Sequence, residues 1–197
     1  MLPKILPMII FLMPKNPKNP ALSEILDLEK IKVISNPIEK AHGLPNECYT
    51  STDYLKFERE KVFAGKWTVI GVASSVPNIG DAKPYYLLGI PLIILRDKES
   101  KIKVFHNVCS HRGFKLLEKS CSLKNFLRCP YHSWTYDFDG KLLVTPHIGG
   151  LNIHESDKFD KSQSNLKEVK SKVWMDIIFI NINNNEIEFD EYVKPLE

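Results

Sequence analysis

Cysteine, net charge and long apolar runs are all scarce in this sequence, and each scarcity argues against a class of protein. The N-terminal apolar run, Ile5–Met13, has only nine residues, too few to cross a bilayer as a helix. The formal net charge is only +3, without a basic stripe, so we expect no nucleic-acid partner and no membrane partner. Four cysteines among 197 residues are too sparse for a secreted disulfide scaffold, which makes metal binding the better explanation for them.

The first residues predict no folded element. Pro7 interrupts the apolar run, and no small-residue cleavage site follows promptly, so an export signal is disfavoured. Prolines alternating with Lys and Asn then favour an extended segment. We therefore expect residues 1–22 to be a disordered extension of a cytoplasmic protein, with Met13 as an alternative start.

Hydrophobic spacing predicts a mainly β protein behind two short helices. The helices are expected at Ser23–Ile34, capped by Ser23, and at Thr50–Ala64, capped by Ser51 or Thr52. From Trp67 onward, short β-branched and aromatic runs predict strands, with a hairpin turning at Asp139-Gly140. The strands are expected at 67–73, 85–96 with an interruption at 89–91, 102–108, 134–144 as the hairpin, 166–173 and 174–182. Such a pattern favours a small antiparallel sandwich or barrel.

Two Cys/His pairs are the candidate metal ligands. Cys109 and His111 follow a predicted strand, and Cys129 and His132 precede the predicted hairpin. Two thiolates and two imidazoles suit a 2Fe-2S cluster in which one iron binds sulfur and the other binds nitrogen. The same residue types could also bind a structural zinc ion, although zinc fingers usually place their His pair on a helix.

The residues around both pairs resemble a known family. Cys109-Ser110-His111-Arg112-Gly113 and Cys129-Pro130-Tyr131-His132-Ser133-Trp134 are similar to the Rieske signature of ring-hydroxylating oxygenase large subunits. The resemblance extends over roughly residues 35–195, and Ser133 stands where the family often has Gly. It implies a helical lead-in over 23–66, a Rieske 2Fe-2S domain over 67–185, and the start of a catalytic domain at 186–197, the rest of which this sequence lacks.

The resemblance also implies an activity and partners. Members of the family are oxidoreductases, monooxygenases or dioxygenases, whose Rieske cluster receives single electrons from a reductase or ferredoxin. The electrons then pass to a mononuclear Fe(II) site in the catalytic domain of a neighbouring subunit, within a trimer. We therefore expect this chain alone to be incompetent for hydroxylation, and its sequence favours no substrate.

Two departures from respiratory Rieske proteins bear on the reduction potential. Those proteins carry an extra Cys in each ligand loop, whereas Phe114 and Tyr131 stand at the corresponding positions here. The resemblance then suggests fewer hydroxyl donors near the cluster. Hydrogen bonds to sulfur help to set the potential, so we expect a value in the lower part of the Rieske range.

Two other functions remain open, a stand-alone Rieske ferredoxin-like carrier and a structural zinc-binding module. Residues 23–66 favour the oxygenase, because a minimal carrier would not need them. Arg112 is either a surface charge or fixes its loop by pairing with a carboxylate. The other candidates are expected to be ordinary core or surface residues: Cys48, Cys121, His42, His106, His147, His154 and Trp134.

Overall fold

The computed structural model describes residues 21–183 and 187–196, so most of the predicted extension over 1–22 lies outside the described residues. In the part of the chain from residue 21 onward, four short α-helices precede the first strand: α1 (Leu22–Ile25), α2 (Leu28–Lys32), α3 (Glu47–Thr50) and α4 (Thr52–Glu58), which continues as a π-helical turn.

The helix predicted over Ser23–Ile34 is wrong in its continuity and its cap. Leu26 is extended, and the Asp27 side chain accepts a hydrogen bond from the Glu29 backbone N–H, which starts α2 as a new helix. The cap predicted for the later helix is present, since the Ser51 hydroxyl accepts from the Tyr54 N–H. The lead-in is therefore helical but more broken than its hydrophobic spacing predicts.

Ten strands form two antiparallel sheets within the described ranges. They are β1 (Thr68–Val72), β2 (Asp81–Leu87), β3 (Ile90–Arg96), β4 (Ile102–His106), β5 (Cys121–Ser122), β6 (Leu127–Arg128), β7 (Thr135–Tyr136), β8 (Leu142–Val144), β9 (Glu168–Trp174) and β10 (Ile177–Asn181). The large sheet has the order β1-β10-β9-β4-β3-β2-β5, and the small sheet has the order β6-β7-β8. The predicted mainly β, antiparallel architecture is confirmed.

Two tight turns join strands that the sequence pattern left ambiguous. The predicted single strand over 85–96 is two paired strands, β2 and β3, joined at Leu88-Gly89 with φ values of 55° and 84°. Met175-Asp176 joins β9 to β10 with φ values of 50° and 67°. Positive φ at both central residues is what a two-residue hairpin needs to match the strand twist. Met175 and Asp176 adopt these positive φ values without a glycine, so the residue types at this turn did not indicate a hairpin.

Three buried clusters hold the elements together. The inner face of the large sheet is lined by aliphatic side chains, among them Leu92, Ile94 and Ile178, each no more than 1% exposed. A second cluster lies between the sheet and the small sheet and includes Cys109 and Cys129. It positions both candidate ligand loops against the main core.

The last described helix, α5 (Phe189–Val193), packs back onto the start of the sheet. Phe189 contacts Trp67 edge-on with ring centroids 5.0 Å apart, and both are buried with Phe179. The Trp67 indole N–H also donates to the Ile187 carbonyl at 3.0 Å. Among the described helices, none has the length and apolar character needed to span a bilayer.

Candidate metal centre

The two ligand loops are the same turn built twice. In the first, the Cys109 N–H donates to the Phe114 carbonyl at 2.8 Å, and the Gly113 N–H donates back to the Cys109 carbonyl at 2.9 Å. In the second, the Cys129 N–H donates to the Trp134 carbonyl at 2.8 Å, and the Ser133 N–H donates back to Cys129 at 3.0 Å. Both cysteines therefore open loops with the same hydrogen-bonding pattern.

Each loop needs one left-handed residue to close. Gly113 takes it in the first loop with φ 70°, and Ser133 takes the equivalent place in the second with φ 60°. The Ser133 hydroxyl accepts from Arg128 Nη2 at 2.8 Å. The frequent Gly at this position in the resembling family thus has a conformational reason, because L residues are strained there.

The loops bring the four predicted residues together as a sulfur pair and an imidazole pair. Cys109 and Cys129 are 1% and 2% exposed, and their side chains are hydrogen-bond neighbours. The His111 and His132 rings have centroids 4.8 Å apart at an angle of 70°. This pairing matches a dinuclear cluster with two sulfur and two nitrogen ligands.

Polar groups around Cys109 suit a thiolate ligand despite its burial. Burial raises the pKa of the Cys109 thiol, while the Tyr136 hydroxyl and the His111 backbone N–H lower it. Burial lowers the pKa of His111, and the nearby His132 and Arg112 lower it further. A neutral imidazole is the form that binds metal, so the environment of His111 favours ligation.

One buried nitrogen has a vacant hydrogen-bonding position that a metal could fill. Among the described residues, His132 Nδ1 is buried without a hydrogen-bond partner. Buried polar atoms are nearly always paired, so such an atom calls for a ligand. No three His, Cys, Asp or Glu side chains in the described ranges converge on a single metal position. The cysteine pair and the imidazole pair fit a two-iron group with two protein ligands on each iron.

Aromatic rings enclose the imidazoles. The buried Trp134 stacks on His111 with centroids 4.5 Å apart and planes 9° from parallel. Tyr131 lies over His132 at 3.7 Å and is 53% exposed. Trp134 is thus buried, as expected of a core residue, and it also fixes the orientation of a candidate ligand, which the sequence pattern did not reveal.

A tyrosine hydroxyl lies close to the sulfur of the first ligand loop. The Tyr136 hydroxyl is 3.2 Å from Cys109 Sγ and 2.8 Å from Ser110 Oγ. Tyr136 is fully buried. The site therefore has at least one hydroxyl group beside a candidate ligand sulfur. The expectation of fewer hydroxyl donors than in respiratory Rieske proteins, and of the lower potential that goes with it, stays a prediction. A tyrosine two residues beyond Trp134 carried the signal, because β alternation places it on the same face.

A buried amide braces the first loop from behind. Asn107 Oδ1 accepts from the backbone N–H groups of Leu116 and Leu117, each at 2.9 Å, and its Nδ2 donates to the Leu117 carbonyl at 2.7 Å. The side chain is fully buried. Sequence reasoning missed this residue, although a polar residue ending an apolar strand was a usable signal.

The exposed side of the imidazole pair opens into a groove of about 610 Å³. Its charged lining residues are Arg112 and Arg128, with no carboxylate among the lining residues. The remaining lining is formed by His111, Tyr131, His132, Ser133, Trp134, Pro146, His147 and Ile148. The two imidazoles are therefore the part of the centre that faces solvent and any partner.

The residues predicted to be unligated lie outside the two ligand loops, and His147 lines the same groove as His111 and His132. Cys121 is exposed on β5, and Cys48 is partly buried in the lead-in. His106 is buried at the end of β4, where burial and then Lys167 lower its pKa to about 4. His147 and His154 pair with each other on an exposed loop, with ring centroids 5.2 Å apart.

Comparison with known families agrees with this geometry. The family profile described as "Rieske [2Fe-2S] domain" matches residues 66–155, which contain both ligand loops. The chain contains a Rieske [2Fe-2S] domain. Strands β9 and β10 lie beyond the matched residues but belong to the same large sheet. The family implies a 2Fe-2S cluster, and the paired sulfurs, paired imidazoles and unpaired His132 Nδ1 fit that group.

The relatives of this Rieske domain are oxygenase subunits. The chain is 33% identical over 166 residues to the carnitine monooxygenase oxygenase subunit of Acinetobacter pittii (strain PHEA-2), covering 82% of this chain and 43% of that protein. It is 30% identical over 162 residues to the chloroplastic choline monooxygenase of Arabidopsis thaliana, covering 80% and 37%. The chain thus spans about two fifths of the length of these curated relatives.

Solved structures show the same relationship. The apo form of the quaternary ammonium Rieske monooxygenase CntA superposes with a TM-score of 0.69 at 30% identity, over 78% of this chain and 43% of that one. Naphthalene 1,2-dioxygenase from Rhodococcus sp. superposes with a TM-score of 0.67 at 25% identity, over 76% and 33%. These superpositions confirm the predicted Rieske-type fold for the described part of the chain. The relatives include both monooxygenases and dioxygenases.

Proposed function

We propose that Cys109, His111, Cys129 and His132 hold the Rieske 2Fe-2S cluster of this chain. The observation that carries the proposal is the buried His132 Nδ1, which lacks a hydrogen-bond partner beside His111. The sulfur pair is almost fully buried, whereas both imidazoles line the open groove. The four residues would therefore bind the cluster with its sulfur-ligated end inside and its nitrogen-ligated end toward a partner.

When bound, such a cluster accepts and releases one electron at a time. The protein residues prepare the site for this chemistry. Trp134 packs on the His111 ring and Tyr131 on the His132 ring, which holds the two imidazoles in place. The Tyr136 hydroxyl can donate to the Cys109 thiolate, a charge-assisted hydrogen bond. The site is thus braced on both its sulfur and its nitrogen sides before any metal arrives.

The function that this geometry supports best is electron transfer within a ring-hydroxylating-type oxygenase. The chain would take single electrons from a reductase or ferredoxin and deliver them to a mononuclear iron site held elsewhere than in these residues. The oxygenase relatives support this placement. The helical lead-in favours it over a stand-alone carrier, because a minimal carrier would not need those helices.

We further propose the domain limits given by the sequence: a lead-in over 23–66, a Rieske module over 67–185, and a further domain opening at 186–197. In support, the whole large sheet, including β9 and β10, forms one connected set of strands up to Asn181. The last described segment also packs on this module, through the contact between Phe189 and Trp67, so any further domain would begin from a segment that is already attached to it.

The test of the proposed centre is metal and spectroscopic analysis of the purified chain and of single variants. Wild type should contain two irons and two acid-labile sulfides per chain and give a Rieske-type electron paramagnetic resonance signal when reduced. His111→Ala and His132→Ala should each lose that signal. Cys129→Ser should lose the signal as well. The matched controls are His154→Ala for the histidine variants and Cys121→Ser for Cys129→Ser, and both controls should keep the signal.

Each outcome decides between the alternatives. Zinc without sulfide in the wild type would make the site a structural zinc module and refute the proposal. A signal retained in His111→Ala or His132→Ala would show that the ligand is another residue. Loss of the signal in Cys121→Ser would show that the wrong cysteine has been chosen, since this exposed thiol lies outside both loops.

A further inference from the structure

The hydroxyl of Tyr136 lies among three groups of the first ligand loop. It is 3.2 Å from Cys109 Sγ, 2.8 Å from Ser110 Oγ, and 3.2 Å from the Ser110 backbone N–H. The tyrosine is fully buried at the end of β7, so water does not compete for these contacts. The direction of the Tyr136 hydroxyl proton therefore determines whether Cys109 Sγ accepts a hydrogen bond.

The role of Ser110 follows from its hydrogen bonds, because a hydroxyl group has only one proton to donate. A carbonyl can only accept, so the contact between Ser110 Oγ and the Ser164 carbonyl uses the serine proton. Ser110 Oγ then faces Tyr136 as an acceptor, and the Ser110 N–H occupies a lone pair of the phenol. The single Tyr136 proton consequently has two competing acceptors, Cys109 Sγ and Ser110 Oγ.

The partner of Ser110 is held by a separate segment, residues 161–166, which lies beyond the matched Rieske residues 66–155. Asn165 Oδ1 accepts from the Leu142 N–H at 2.9 Å, and the Leu166 N–H donates to the Gly140 carbonyl at 2.8 Å. These bonds fasten the segment to the hairpin that carries Tyr136. These bonds fix the Ser164 carbonyl where it accepts a hydrogen bond from the Ser110 hydroxyl.

We propose that Ser110, held by the Ser164 carbonyl, is a positioning residue that competes with Cys109 for the Tyr136 proton and thereby sets the reduction potential of the centre. The inference rests on the proposed cluster site. Hydrogen bonds to a ligand sulfur stabilise the more negative, reduced state and raise the potential. Deleting the Ser110 hydroxyl leaves Cys109 as the sole acceptor and strengthens that bond, whereas deleting the Tyr136 hydroxyl removes it.

The two deletions therefore shift the potential in opposite directions. Ser110→Ala should raise the midpoint potential, and Tyr136→Phe should lower it, each changing the ratio of reduced to oxidised centre by about two- to tenfold, the equilibrium effect of one net hydrogen bond. In the double variant, Ser110→Ala should add nothing to Tyr136→Phe, because Ser110 acts through the phenol.

The experiment is a dye-mediated redox titration of the cluster-loaded full chain, followed by electron paramagnetic resonance. The matched control is Ser164→Ala, which makes the same chemical change but leaves the Ser164 carbonyl in place, so its potential should equal that of wild type. Ser110→Thr keeps the hydroxyl and should also restore the wild-type potential.

Several results would overturn the inference. They are an unchanged or lowered potential in Ser110→Ala, a further shift in the double variant, or a shift in Ser164→Ala as large as that in Ser110→Ala. Failure of Ser110→Ala to retain the cluster would also overturn it, because a positioning role leaves all four ligands intact. Absence of the Rieske signal from wild type itself would instead refute the proposed function.

Discussion

The large sheet and the ligand-bearing part of the molecule are stabilised by different means. The sheet has strands of five to seven residues, apart from its edge strand β5, packed over a cluster of aliphatic side chains. The ligand lobe, which we define as residues 107–155, has strands of only two or three residues in β6, β7 and β8. Its geometry depends instead on buried polar side chains such as Asn107 and Tyr136.

The orientation of the candidate ligands depends on the polar contacts rather than on the apolar core. Apolar burial is non-directional, so it can bring two loops together without fixing the angle of a ring or a sulfur. Hydrogen bonds are directional, and a buried polar group left without its partner is costly. The sheet therefore supplies stability, while the polar contacts of the ligand lobe supply the orientation that four metal ligands require.

The largest expected effect comes from a cavity in the sheet. Ile94 is 1% exposed in the inner cluster, and Ile94→Ala should lower the free energy of unfolding by about 4 kcal/mol, combining lost transfer energy and an unfilled cavity. Chemical denaturation followed by far-UV circular dichroism measures it. Ile79→Ala, at a position 51% exposed, is the matched control and should cost far less. Equal losses in the two variants would contradict the division of roles.

A somewhat smaller effect should follow from removing the brace of the ligand lobe. Asn107→Ala leaves three buried backbone groups unpaired and should cost about 3 kcal/mol. Unlike the sheet variant, it should also reduce cluster retention in protein that remains folded, which visible absorbance and circular dichroism measure together. The control is Asn125→Ala at an exposed position. Full cluster retention in the folded Asn107→Ala protein would show that the brace is dispensable for the site.

His106, where the sheet meets the lobe, predicts a dependence of stability on pH. Burial and then Lys167 lower its pKa to about 4, from about 6.5 in the unfolded chain. Between these values the unfolded state binds more protons, so stability is present above pH 6.5 and is lost as the pH falls toward 4. The free energy of unfolding should fall by about 2 kcal/mol between pH 7 and pH 5 from this residue.

Denaturation curves at several pH values check this contribution. In His106→Gln, which cannot titrate, that part of the slope should vanish, and the difference between wild type and variant isolates it from the other histidines. Parallel pH profiles for the two proteins would mean that His106 is accessible to protons in the folded state.

The sequence was most informative about the sheet and about the positions of the two candidate ligand pairs. Alternating and continuous apolar runs predicted most of the long strands, because burial of one or both faces leaves a clear pattern. It failed at Leu88-Gly89, where a hairpin looked like an interruption, and at Leu26-Asp27, where a cap splits a helix. Both errors concern turns, whose conformation depends on a few residues rather than on periodicity.

Within the centre, the ligand pairs were visible from spacing but their supports were not. Asn107, Ser110 and Tyr136 act through contacts with residues 9 to 54 positions away. No local pattern records such a contact, since it exists only once both loops and the following segment are folded. The assignment of the four ligands itself remains a prediction until the cluster is measured.

The smallest expected effect compares the two ligand loops with each other. Ser133 and Gly113 occupy the same left-handed place, at φ 60° and 70°. Ser133→Gly relieves strain of about 1 kcal/mol but loses an exposed hydrogen bond to Arg128, so we expect a net gain of about 0.5 kcal/mol in unfolding free energy. The reciprocal change, Gly113→Ser, should lose about 1 kcal/mol, because nothing offsets the strain it introduces. Urea midpoints measured side by side give both values. Opposite signs would establish that the two loops are one turn used twice, whereas a loss in both variants would show that the Arg128 contact, rather than backbone conformation, fixes the second loop.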